Sequence, residues 1–127
     1  MKFALVFIAS GTGGLARYVF GGWVQRLSGG TFPLGTLVVN VSGCLLIGFF
    51  GGAALTGRSL IREEYRVALL VGLLGGYTTF STFGWETFSM LGDGQFGRAL
   101  LNAAASVVAG VVAVWAGYRV AEFWLGA

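Results

Sequence analysis

Residues 72–83 read Gly72-Leu73-Leu74-Gly75-Gly76-Tyr77-Thr78-Thr79-Phe80-Ser81-Thr82-Phe83. Adjacent glycines followed by β-branched and hydroxylated residues make poor helix sequence. Glycine loses the most backbone freedom on folding, and short hydroxyl side chains compete for backbone hydrogen bonds. Yet this stretch lies in the middle of a long apolar segment, 65–91, that predicts a membrane crossing. Together the two readings predict a membrane helix that is broken at its centre. Bare backbone at that depth is tolerated only where protein buries it or where it lines a cavity. Carbonyls freed by such a break can hold a small cation, as broken helices do in ion-coupled transporters.

The rest of the chain supports a membrane setting. Of its 127 residues 56% are hydrophobic and only 10% are charged, where a soluble domain carries about a quarter charged residues. So few charges cannot cover a water-facing surface. Apolar stretches of roughly 20 residues cross a bilayer, and four are predicted, at 3–23, 34–55, 65–91 and 97–125. Short polar links separate them: Arg26 to Pro33, the segment 56–64 with Arg58, Arg62, Glu63 and Glu64, and the turn Gly92-Asp93-Gly94. The expected fold is an all-α integral membrane protein of four helices, forming one domain over 1–127. Lys2 precedes an apolar run too long for a signal peptide and without a convincing small-residue cleavage site, so a retained first helix is expected.

Composition also excludes chemistry. Histidine is absent, which removes the commonest general base and metal ligand. The one cysteine, Cys44, lies within the second span and can form no intrachain disulfide. No nucleophile–base pair or metal-ligand cluster is visible, so no catalytic residue is predicted. A net charge of +3 in such a chain points to lipid headgroups and topology, not to nucleic acid.

Twenty-three glycines are too many for helices that touch only lipid. Small residues four apart let helix backbones approach closely. Gly48/Gly52, Gly72/Gly76 and the stripe Ala105, Ala109, Ala113, Gly117 are such faces. Packing within the chain would use most of them, and the surplus predicts association with a partner. Gly72/Gly76 and Ala105/Ala109/Ala113 are the candidates for contact between copies.

Polar residues inside membrane spans cost free energy, so each is a candidate functional group. Arg17 either snorkels to the interface or places a fixed positive charge at the mouth of an aqueous vestibule, raising the local anion concentration. Asn40 offers two donors and an acceptor without net charge, suited to a tie between helices or to a donor lining an ion path. Phe80 and Phe83, one turn apart, share a helix face. Their electropositive ring edges could contact a dehydrated small anion. The role of Glu86 is open.

At these residues the chain resembles the CrcB/Fluc family of fluoride channels. The match runs through Arg17-Tyr18, Gly35-Thr36-Leu37 with Asn40, and the string Gly75 to Phe83 with Glu86. The resemblance implies a dual-topology antiparallel homodimer in the inner (plasma) membrane, with two fluoride pores and a central sodium ion. It implies that Asn40, Phe80 and Phe83 line each pore, with Ser81, Thr82 and Ser106 forming a polar track and Arg17 at a vestibule. The carbonyls of Gly75 and Thr78 would hold the sodium. The family often has a large polar residue where this chain has Asn102, and Ser or Thr where it has Gly110. A small multidrug antiporter would need an intramembrane acid where the first span offers Arg17. A purely structural subunit would explain the glycines and leave the break unexplained.

The charge count strains against dual topology. Lys2, Arg58, Arg62, Arg66 and Arg119 fall on one side of the membrane and Arg26 and Arg98 on the other. By the positive-inside rule that is a bias, softened where Arg119 lies within its span.

Overall fold

A computed structural model describes residues 1–55, 57 and 61–125. Arg58, counted above in the polar link, lies outside the described residues. Helix α1 is Lys2–Ser28 and α2 is Leu34–Leu55. The third crossing is composite. Its first part, α3 (63–77), runs through Glu63–Val67, a π-helical stretch Ala68–Leu73, and Leu74–Tyr77. Its second part, α4, is Phe80–Gly92. Helix α5 is Phe96–Leu125. Four helical crossings, the third counted as one, are long and apolar enough to span a membrane, and the protein is a multi-pass membrane protein.

The links follow local chemistry. Gly29 ends α1 at φ 63° and Gly94 takes φ 75° between α4 and α5, a left-handed conformation that suits glycine. The α4–α5 turn closes with Gln95 N–H donating to the Met90 carbonyl at 2.8 Å, the wide bond of a glycine helix stop. Helix α1 outruns its expected end at Trp23 by more than a turn. Gln25 in that extension donates to the carbonyls of Phe32 (3.0 Å) and Gly30 (3.2 Å) and accepts from Gly35 N–H (2.9 Å), so α1 itself staples the loop.

Glycines decide which helices touch. A methyl group on Gly117 would fall on the Leu45 carbonyl of α2, and one on Gly48 would fall on the Val114 carbonyl of α5. On the other side of α2, a Cβ at Gly35 would strike the Gly21 carbonyl of α1. Helix α1 in turn meets α3, where a Cβ on Gly13 would hit the Leu73 carbonyl and one on Gly76 the Ser10 carbonyl. Gly72 faces Ala9 and Val6. The Gly72/Gly76 face, expected as a candidate for contact between copies, is packed against α1 of the same chain. Large apolar side chains such as Phe3, Phe7, Phe123 and Trp124 point outward, where lipid surrounds them.

The third crossing breaks at Thr78 (φ −87°, ψ 156°) and Thr79 (φ −147°, ψ 121°), both extended. The adjacent glycines Gly75 and Gly76 remain helical. The interruption thus falls two residues after the position their poor propensity marked, at residues whose side chains can replace the lost backbone bonds.

Candidate functional site

The broken backbone is held from α2. Asn40 Oδ1 accepts from Thr79 N–H at 2.8 Å, and Asn40 Nδ2 donates to the Thr79 carbonyl at 2.9 Å. One amide thus satisfies both backbone groups of the residue that left the helix. The second Nδ2 hydrogen stays available, so the two roles open to Asn40 in the sequence are compatible. Next to it, Tyr77 Oη and Ser42 Oγ share a hydrogen bond of 2.9 Å. Gly43 leaves the room that the Thr78 methyl fills.

The break frees backbone carbonyls. In a continuous helix the carbonyls of residues 75–78 would accept from the N–H groups of 79–82. Thr79 N–H goes instead to Asn40, Thr82 N–H goes to Thr79 Oγ1 at 3.2 Å, and Phe80 and Ser81 open a new helix. The Gly75 and Thr78 carbonyls, expected as cation ligands, are two of the four that lose their helical donors in this way. Thr78 Oγ1 donates to the Leu74 carbonyl at 2.9 Å, which leaves its lone pairs unused.

A recess of about 340 Å³ lies at the break, lined by Asn40, Cys44, Gly75, Thr78, Phe80, Phe83 and Ser106 among others. Helices α2, α3, α4 and α5 all contribute. The Phe80 and Phe83 rings are 5.7 Å apart at 48°, and Phe80 is 83% exposed, so this wall of the recess stands open at the side. Most of the predicted pore residues therefore meet in one place.

Others do not. Ser81 and Thr82 are exposed and line no part of the recess; Thr79 Oγ1 takes both hydroxyls into a local cluster at 3.3 and 3.2 Å. Thr82 and Arg17 belong to a second, larger cavity of about 880 Å³ at the end of the molecule formed by the α1–α2 and α4–α5 links. Gln25, Thr36, Glu86, Ser89 and Asp93 also line it. Arg17, expected at a vestibule, lines this cavity together with the acidic Glu86 and Asp93. Thr36 is the hydrogen-bonding neighbour of the Glu86 carboxyl, while Glu86 Oε1 is buried without a hydrogen-bond partner among the described residues.

Asn102 departs from the expected track. It is 2% exposed and donates from Nδ2 to Thr87 Oγ1 at 3.0 Å, between α5 and α4. Gly110 packs beside Cys44 Sγ. Of that stripe only Ser106 reaches the recess.

Across residues 4–118 the sequence matches the family profile described as CrcB-like protein, Camphor Resistance (CrcB). The chain belongs to this family. Among CrcB relatives, a protein of Solibacter usitatus named Fluoride-specific ion channel FluC is 47% identical over 122 residues, covering 96% of this chain and 99% of that protein. Proteins of the same name from Geobacter sulfurreducens and Methylocella silvestris are 47% and 43% identical, over 92% and 95% of this chain. This CrcB chain therefore matches these relatives along nearly their whole length.

Proposed function

We propose that this protein is a passive, fluoride-selective channel, not an enzyme, that lets cytoplasmic fluoride leave across the inner membrane and so protects the cell from its toxicity. The observation that carries the reading is the recess at the break. There Asn40, Ser106, Phe80 and Phe83 line one recess without a charged side chain, so an amide, a hydroxyl and two aromatic rings are at hand. Fluoride is small and strongly hydrated, so a pore must replace its water with donors of this kind. A site without a strong fixed charge also releases the ion again, as conduction requires. The names of the relatives point to the same ion.

The open side of the recess supports a partner. A second copy in the opposite orientation, related by a two-fold axis in the membrane plane, would cover Phe80 and present the same surface in return. This is the antiparallel homodimer, with lipid around its apolar belt. The freed carbonyls of Gly75 and Thr78 fit sodium. Two from each copy supply four oxygen ligands, short of the six to eight that calcium takes. When bound, the ion would supply positive charge at the dimer centre and hold the two breaks in register.

Vesicles carrying the purified protein and loaded with potassium fluoride should empty when valinomycin supplies the countercurrent. The same vesicles loaded with potassium chloride should not. Equal efflux of both ions, or of neither, refutes the proposal.

A further inference from the structure

We infer that Asn102 and Thr87 form a positioning pair that sets the rotation of α4, and with it the stance of the Phe83 ring against the recess, and that Asn102 does not itself contact the ion. The flux arm of the test rests on the channel reading above; the labelling arm does not.

Helix α4 carries Phe80 and Phe83 but has little else to orient it. Met90 is its one buried residue, whereas α5 is packed along α2 through Gly48, Ala113, Gly117 and Ala121. At its start α4 is pinned by the Asn40–Thr79 pair. At its far end the Gln95–Met90 bond closes the turn into α5. Thr87 lies about two turns beyond Thr79, and there Asn102 supplies a tie from α5 between the two ends.

The direction of that tie is fixed by the proton count. Thr87 Oγ1 has one hydrogen, and it goes to the Phe83 carbonyl at 2.8 Å. The hydroxyl must therefore accept from Asn102 Nδ2 at 3.0 Å. The chain of bonds runs from α5 through Thr87 to the backbone of the residue whose ring faces the recess. Asn102 is the one buried polar residue among those described, and a buried amide is costly to leave unpaired. Ser106, one turn along the same helix, lines the recess while Asn102 does not. Its polarity serves the neighbouring helix.

The test is a double-mutant cycle with Asn102→Leu and Thr87→Val, which remove the bond while keeping bulk, and with Thr87→Ser, which keeps the hydroxyl. Loss of one such bond predicts a roughly fivefold fall in fluoride efflux for each single variant. The double variant should fall little further, and Thr87→Ser should stay near wild type, because coupled residues do not add. Losses that multiply in the double variant, or a Thr87→Val channel at wild-type flux beside an impaired Asn102→Leu, would make Asn102 an ion-contacting group and overturn the inference. A second readout needs no ion flow. Ser89 lies on α4 and faces the vestibule; as Ser89→Cys in a Cys44→Ala background it reports helix rotation through its rate of reaction with a hydrophilic thiol reagent. Thr87→Val and Asn102→Leu should change that rate in the same direction and Thr87→Ser should not. Rates unchanged by both overturn the positioning role, and should Asn102→Leu fail to fold, Thr87→Val decides alone. Shifted rates in a protein that passes no fluoride would retire the channel reading and leave the pair standing.

Discussion

Replacing Asn40 separates what holds the break open from what an anion meets there. Asn40→Leu keeps the bulk and removes both bonds to Thr79, at 2.8 and 2.9 Å. Hydrogen bonds between membrane helices average about 0.6 kcal/mol and reach about 1.7, so the pair is worth roughly 1–3 kcal/mol. For a chain of this size that lowers the melting temperature by roughly 3–10 °C. Asn40→Asp keeps an acceptor for Thr79 N–H but sets an anionic oxygen against the Thr79 carbonyl, and a charged side chain within a membrane span costs about 2.5–3.5 kcal/mol, so it should lose more. Flux should follow the same order with a much wider gap. The aspartate places a negative charge on the wall of the recess, and two unit charges about 4 Å apart repel by about 4 kcal/mol at an effective dielectric constant near 20. That is on the order of a thousandfold in rate, whereas leucine removes only one donor and some order. Stability and fluoride efflux should thus both rank wild type, leucine, aspartate, with the wide gap between leucine and aspartate in efflux. Melting in detergent and efflux from vesicles measure the two. A leucine variant that melts with wild type would show that Thr79 does not depend on the clamp. An aspartate variant that conducts as well as leucine would show that anions do not pass this recess.

Phe80→Ile and Phe83→Ile retain apolar volume and lose the ring edge; efflux should drop about tenfold or more for a barrier change of only about 1.4 kcal/mol, and intact flux in both would return the rings to packing. Gly13→Ala, whose methyl would fall on the Leu73 carbonyl, should destabilise the α1–α3 contact by several degrees of melting temperature. Gly14→Ala, with nothing within 4 Å of its Cβ, should melt with wild type, and equal melting of the two would refute the assigned packing. For dual topology, Glu63→Cys in a Cys44→Ala background places a thiol at an exposed position at the start of α3. An impermeant reagent on intact cells should label about half the molecules, and labelling near none or near all would mean one orientation.

The crossings were legible because each depends on a run of apolar side chains that no soluble fold would expose. The break was legible to within two residues. Its exact place was not, because poor propensity at Gly75 and Gly76 says where a helix is weak and not where the backbone finds other partners. The two roles of Asn40 could not be separated in the sequence, since its partner Thr79 is 39 residues away and the register of α2 against α3 decides the bond. The same limit applied to Gly72 and Gly76: a small-residue face announces close contact, but α1 and a second copy would read alike. Nothing in Ala68-Leu-Leu-Val-Gly-Leu73 marks a π-helical turn. Ser81 and Thr82 carry the hydroxyls the track called for, yet Thr79 gathers them locally. Asn102 was noticed only as a departure, and its partner Thr87 drew no attention because a lone threonine near a helix end has no distinctive spacing.

The position of the break explains how side chains satisfy much of the backbone that it leaves bare. Glycine weakens a helix but has no side chain with which to satisfy what a break leaves bare. Threonine does. At 78–79 the backbone leaves the helix where two side-chain substitutions are within reach: Thr79 Oγ1 accepts from Thr82 N–H, and Asn40 takes both polar groups of Thr79. The glycines before it are then released for another task. Gly76 seats α3 against the Ser10 carbonyl of α1, and Gly75 remains exposed beside the recess. What these substitutions leave over is the set of carbonyls at 75–78 whose helical donors have been reassigned or lost. Two of those residues, Gly75 and Thr78, line the recess together with Asn40, Phe80 and Phe83, so one rearrangement of backbone hydrogen bonds exposes carbonyls beside the proposed anion path.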